Sequence, residues 1–268
     1  MDRLIRQQTC RIYTGGRDFD PRLPSVVLIH GAGHDHSVWH YQARHLAHHG
    51  FGVLAPDLPG HGASAGAPLE SIDAMADWLL DMLDACGVEH AVLAGHSMGS
   101  LIALATAARA RERTRKLILI GSVAPMPVAP ALIDAACSAP GRAHAMINQW
   151  SYSATAQLGA SASPGTSLLG INQRLMARQA AGVLATDLRA CDAWQDGLSC
   201  AAQVSCPTLL ISGQRDQMTP PRAVKPLFDA LVNVAGGARM MTLQGAGHAM
   251  MAEAPQALNN AIRGFLNT

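Results

Sequence analysis

Charge is scarce in this sequence, and neither sign prevails. Acidic and basic residues make up 15% of the 268 positions, the formal net charge is +1, and Lys and Arg are scattered along the chain. Phosphate backbones and anionic lipid surfaces need a concentrated basic footprint, so nucleic-acid and membrane partners are not expected. Long apolar runs are missing as well, and no stretch could cross a bilayer as a helix. Met1–Gln7 carries charges where a secretory signal would need an apolar segment, from which a cytoplasmic location is expected. The six cysteines show no Cys-x-x-Cys spacing, and a chain of this length needs no disulfide staples, so free thiols are expected. There is no internal repeat. What the chain has in quantity is hydrophobic residues, at 49%, enough for one large α/β domain around a buried sheet.

Short β-branched apolar runs alternate with helical patterns, as in a parallel sheet with helical crossovers. The strand candidates are Ser25–His30, Gly52–Pro56, Ala91–Gly95, Lys116–Gly121, Thr208–Ser212 and Arg239–Leu243, with a weaker edge-hairpin signal at Thr9–Tyr13. Nearly all their residues are apolar, as strands covered on both faces should be. Helices are expected at Ser37–His49, Leu69–Cys86, Met98–Ala110, Arg222–Val232 and Pro255–Leu266. The third is uncharged until Arg109 and should be buried. From Ser122 to Val204 no strand pattern occurs; helical pieces at Ala131–Cys137 and Asn172–Leu184 flank a loop-like Gly159–Gly170. An interval that long exceeds a simple crossover. The expected organisation is therefore a core of residues 1–121 and 205–268 with a helical cap, 122–204, inserted between two core strands.

The strand Ala91–Val92–Leu93–Ala94 runs into Gly95–His96–Ser97–Met98–Gly99–Ser100 and then into the uncharged helix. A Gly-x-Ser-x-Gly turn between strand and helix exposes a serine nucleophile on a strained backbone. Its glycines remove the Cβ atoms that would collide with strand and helix. Ser97 is thus the candidate nucleophile, at the carboxyl end of the sheet where open α/β sheets bind ligands. A serine hydroxyl needs a base. His248, in Gly245–Ala246–Gly247–His248 beyond the last strand, fits that role, whereas His96 should point away and pack or hydrogen-bond locally. The carboxylate that orients the base is assigned to Asp216, after the strand Thr208–Ser212. Asp57 is the rival, set in what reads as a structural turn. An oxyanion needs N–H donors. Met98 should give one, and Ala32, favoured over Gly33 in His30–Gly31–Ala32–Gly33, the other.

The set HGAG (30–33), DLPGHGAS (57–64), GHSMGS (95–100), GQRD (213–216) and GAGH (245–248) resembles the α/β-hydrolase superfamily, in the branch of small bacterial esterases, enol-lactonases and carbon–carbon bond hydrolases. The resemblance spans nearly the whole chain outside residues 122–204. It implies the α/β-hydrolase fold, a mostly parallel, doubly wound sheet with a helical cap insertion. It leaves the substrate open, because such folds keep their core and vary what covers it.

His34, His36 and His40 are close enough in sequence to suggest a metal site, but no Cys or placed acid accompanies them, so no metal is expected. No cofactor is called for. Met98, Met218, Met250 and Met251 fall beside the triad candidates. Met218 and Met250, with Trp150, are expected in the substrate pocket, and Trp39 and Trp194 are further wall candidates. The expected activity is hydrolysis of a small or medium, largely uncharged carboxylic ester, a small-molecule ester-like substrate being the partner. Alternatives using the same triad are lactone opening and carbon–carbon bond hydrolysis; a ligand-binding receptor on the same fold is the rival of another class. A homo-oligomer is compatible with the sequence.

Overall fold

The computed structural model describes residues 1–161 and 163–268. Its centre is an eight-stranded sheet in the order β1-β2-β4-β3-β5-β6-β7-β8. The strands are β1 (Asp2–Ile5), β2 (Gln8–Tyr13), β3 (Ser25–Ile29), β4 (Gly52–Pro56), β5 (Ala91–His96), β6 (Thr114–Ile120), β7 (Thr208–Gly213) and β8 (Arg239–Leu243). The β1–β2 and β2–β4 pairings are antiparallel; all others are parallel. The edge hairpin is therefore present, and β1 extends it on a mostly exposed strand whose alternation was too weak to read from sequence.

The period-2 alternation of strand side chains sorts the core into two layers. Val27, Ile29, Leu93, Leu117 and Leu119 join α2 (Ile72–Ala85) and α3 (Met98–Arg109) on one face. Val26, Leu28, Val92, Ile118 and Ile120 join α1 (His40–Ala47) and α12 (Pro255–Leu266) on the other. With both faces covered, neither strand face can be polar, which explains the near-continuous apolar runs. Helix α3 is buried from Met98 to Ala108, and its first charge, Arg109, reaches Asp73 and Asp77 of α2.

Between β6 and β7 lie α4 (Pro130–Ser138), α5 (Pro140–Ser151), α6 (Ala154–Gln157), α7 (Leu168–Ala177), α8 (Val183–Ala193) and α9 (Gly197–Ala201). Leu132, Ala136, Ile147, Met176, Leu184 and Leu188 give the insert a small core of its own, while α9 packs on α3 and on α10 (Lys225–Ala230). The single helix expected over Asn172–Leu184 is in fact two. Ser167 caps α7 earlier, its side chain accepting from Gly170 N, and Gly182 at φ +87° breaks the chain before α8. The interval expected to be a loop ends in helix from Leu168; Ala162 within it lies outside the described residues.

The insert is tied to the core by buried polar groups. Asp35 is fully buried, and its Oδ2 accepts from Arg178 Nη2 at 2.6 Å and Gln179 Nε2 at 2.9 Å, just beyond α7. Its other oxygen caps the short 3-10 turn His36–Trp39 through Ser37. Burial pushes the Asp35 carboxyl up, but the Ser37 and Arg178 bonds outweigh it and hold the group well below the usual carboxylate range. A depressed folded value adds stability above the unfolded value of about 3.9 and loses it as pH falls through the folded one. Asp35→Asn is therefore expected to be less stable than the parent by about 2 kcal/mol at pH 7, with the difference shrinking below about pH 4, as read by urea unfolding across pH.

Candidate active site

Ser97 stands between β5 and α3 with φ +53° and ψ −122°, a left-handed-side conformation that a serine adopts only when its surroundings impose it. Those surroundings are backbone. A Cβ at Gly95 would fall 2.0 Å from Gly99 O, and one at Gly99 would fall 2.2 Å from Ile29 O. Ser100 then fastens the turn, its Oγ bonding Ser97 O at 2.5 Å and Ser122 Oγ at 2.8 Å.

His248 and Asp216 arrive from the ends of β8 and β7 and meet. His248 Nδ1 lies 2.8 Å from Asp216 Oδ2, both side chains nearly or wholly buried. The other Asp216 oxygen accepts from Met218 N and Thr219 N, each at 2.8 Å, and Thr219 Oγ1 donates to Oδ2 at 2.7 Å. Burial raises the Asp216 carboxyl, but the field and hydrogen bond of His248 and the Thr219 bonds more than reverse this, so it stays ionised. An ionised acceptor facing Nδ1 selects the tautomer with a proton there, leaving Nε2 as the free base. Gly121, at φ +57°, leaves room for this ring: a Cβ there would come within 2.9 Å of His248 Cε1.

His96 turns away from the serine, and its Nε2 donates to His248 O at 2.9 Å. Burial, then the nearby His248, hold its ring well below the ordinary histidine value, so it is neutral. Asp57 lies elsewhere, locked into its turn by His36 N at 2.8 Å, His36 Nδ1 at 2.6 Å and Ala63 N at 2.9 Å. Two of the three histidines weighed as metal ligands, His34 and His36, are similarly engaged. His34 faces Ala32 O and Asn172 Oδ1 with its two ring nitrogens, and His36 uses Nδ1 on Asp57. Asp35, His36 and Asp57 do bring three ligand atoms close together. Their carboxylate oxygens, however, are already occupied by N–H and O–H donors, and the Arg178 guanidinium occupies the Asp35 side that a cation would need.

Ser97 and His248 line a cavity of about 880 Å³, walled by the core loops on one side and by the inserted helices on the other. Ala32, Met218 and Trp150 line it too. Met250 does not: it is fully buried in the core layer that holds Leu258 and Ile262, because it opens the short α11 (Met250–Glu253), which packs on α1 and α12, and its neighbour Met251 reaches the cavity instead. Trp39 and Trp194 are likewise buried elsewhere, Trp39 edge-on to His96 and Trp194 with its Nε1 on Asp73. Met98 is in the core, and its backbone N–H opens α3 beside Ser97, where the first helical amides have no intrahelical acceptor. Gly33 N is committed to Asp187 Oδ2 at 2.8 Å. Met126, Thr219 and Asp187 were not foreseen. Thr219 had a local signal, a threonine three residues after an aspartate. Met126 and Asp187 had none, since both sit in the insert, where no motif guides the eye.

The chain belongs to the alpha/beta hydrolase family, whose model matches residues 26–261. A curated relative from Acinetobacter baylyi, named (E)-2-((N-methylformamido)methylene)succinate hydrolase, is 24% identical over 250 residues, 91% of this chain and 90% of its own length. Another, a dihydrolipoyllysine-residue acetyltransferase component from Pseudomonas putida, matches more locally: 41% identical over 98 residues, 36% of this chain and 26% of its length. Among solved structures, an enol-lactonase from Burkholderia xenovorans LB400 superposes with a TM-score of 0.87 at 22% identity, covering all of both chains. A thermophilic esterase from Thermogutta terrifontis gives 0.84 at 23%, over 100% of this chain and 97% of its own. Hydrolase activity follows from the family. Among the described residues no helix is long and apolar enough to cross a membrane.

Gly95→Ala tests the turn directly. With its Cβ driven into the Gly99 carbonyl it is expected to lose about 3 kcal/mol or more of stability, read as a lowered urea midpoint; an unchanged midpoint would mean that the turn is not closed as described.

Proposed function

We propose that the protein is a serine hydrolase that cleaves a small or medium, largely uncharged carboxylic ester through an acyl-enzyme. The observation that carries this reading is the 2.8 Å bond between His248 Nδ1 and Asp216 Oδ2 beside the cavity that Ser97 lines. Among the described residues no hydrogen bond joins Ser97 Oγ to the His248 ring; such a bond often tightens only in the substrate complex.

In the first step Ser97 Oγ adds to the ester carbonyl carbon while His248 Nε2 takes its proton, and Asp216 stabilises the imidazolium. The carbonyl oxygen becomes an oxyanion, received by Met98 N and Ala32 N. Ala32 is preferred over Gly33 because the Gly33 amide is already engaged by Asp187. The C–O bond to the alcohol then breaks, with the alcohol taking the proton from His248. Water, deprotonated by the same ring, adds to the acyl carbon, and the carboxylic acid leaves as Ser97 recovers its proton. Residues 122–204 act as the cap over this chemistry. Leu132, Ile147, Trp150 and Met218 give the cavity an apolar lining, and its volume falls within the range of small-molecule sites.

A panel of p-nitrophenyl esters of graded acyl length, set beside lactones and a vinylogous diketone, tests the reading. Esters are expected to turn over fastest and with a burst, and Ser97→Ala is expected to remove the burst; full turnover by that variant would sink the mechanism. Asp216→Asn should keep the fold and reduce kcat by about 10⁴-fold, since an amide beside Nδ1 favours the wrong tautomer.

A further inference from the structure

Asp187 is fully buried in the second turn of α8, yet it belongs to the machinery of the core. Its Oδ2 accepts two hydrogen bonds, from Gly33 N and from His61 Nε2, each at 2.8 Å. Its Oδ1 has no partner among the described residues. A buried, half-satisfied carboxylate is destabilising, and a well-packed apolar residue would hold three segments together more cheaply. What an apolar residue could not do is bind a backbone amide of the loop beside Ser97. Leu184, one turn earlier on α8, packs on the same glycine, so the helix lies directly against that loop.

The protonation of His61 follows from its partners. Its Nδ1 lies 3.0 Å from Pro59 O and its Nε2 faces Asp187; burial alone would lower the ring, but these two acceptors, Asp187 above all, raise it above the ordinary histidine value and favour the protonated form. The adjacent His30, 4.9 Å away between ring centroids, is the neutral member. Its Nε2 accepts from Leu58 N at 3.1 Å, and burial followed by the His61 charge hold it down at about 4. The buried negative charge beside the loop is thus balanced at close range.

We propose that Asp187 is a positioning residue: from the inserted helix it fixes the Gly31–Gly33 loop so that Ala32 N–H faces the carbonyl oxygen of an ester on Ser97, with His61 neutralising its charge. The inference rests on the serine-hydrolase reading above. With the loop released, the substrate still enters the same cavity, but the oxyanion loses a preorganised donor. The loss therefore falls on kcat rather than KM.

The test uses the full chain and p-nitrophenyl acetate. Asp187→Leu keeps comparable bulk and removes the acceptor for Gly33 N; kcat is expected to fall about 30-fold, with KM changed by less than about twofold. Inhibition by phenylboronic acid, whose tetrahedral adduct with serine places an oxygen in the same position, should weaken by a similar factor, and amide hydrogen exchange across residues 30–35 should quicken. An unchanged kcat, an effect confined to KM, or unaltered exchange each overturns the proposal. Should Asp187→Leu fail to fold, His61→Gln takes its place: the same split between kcat and KM supports the proposal, and parental kcat refutes it. If the parent chain neither hydrolyses esters nor is labelled at Ser97 by a fluorophosphonate, the serine-hydrolase reading fails by itself, while the exchange experiment still decides whether Asp187 holds the loop.

Discussion

Ser97 can hold its backbone at φ +53° only because two carbonyl oxygens, of Gly99 and Ile29, come so near that nothing larger than hydrogen fits at Gly95 or Gly99. Much of the rest depends on this close approach. It brings α3 hard against β5 and β3, which requires α3 to be buried along nearly its whole length and leaves it no charge before Arg109. It also directs the serine side chain past the carboxyl ends of the strands, the edge at which the loops after β7 and β8 deliver Asp216 and His248. Strain at one residue is sustained by the packing of a whole helix.

The sheet and the tight turn around Ser97 were legible in the sequence because each rests on local constraints. A strand covered on both faces must be apolar throughout, and a strained turn must have small neighbours; both leave their mark on consecutive residues. The insert was poorly legible for the converse reason. Helix α5 carries Arg142, His144, Asn148 and Gln149 among its few apolar residues, so its periodicity is faint, and its burial comes from packing on α4 and α7, which are covered on only part of their own surfaces. Gly182 lay within a pattern that also reads as one continuous helix, Asn172–Leu184, and the cap at Ser167 lay within the loop-like stretch before it. Met250 shows the limit at the level of one side chain. Proximity to His248 in sequence suggested the pocket, whereas the turn into α11 sends it into the core between α1 and α12 and its neighbour to the cavity.

Polar contacts between insert and core fall on the loops that matter most. Besides Asp35 with Arg178 and Asp187 with Gly33, the carbonyl of Ser151 at the end of α5 accepts from His248 N at 2.7 Å and Ala249 N at 3.1 Å. Glu253 closes the same region, one oxygen on Gly247 N and the other on Ser153 N and Oγ. None of these bonds would be apparent from either partner alone, since most of them end on backbone atoms. The loop bearing the histidine and the loop bearing Ala32 are each held in part by residues of the insert.

The Ser151 carbonyl bears on whether the insert can be exchanged. In a modular enzyme, the segment that selects the molecule to be attacked could be exchanged while the chemical apparatus stayed intact. Here a transplanted segment would have to reproduce a backbone acceptor at the position of Ser151 as well as a new cavity wall, or the histidine loop would lose its anchor. One backbone oxygen thus ties the shape of the cavity wall to the place of the histidine loop, and neither can be rebuilt without the other.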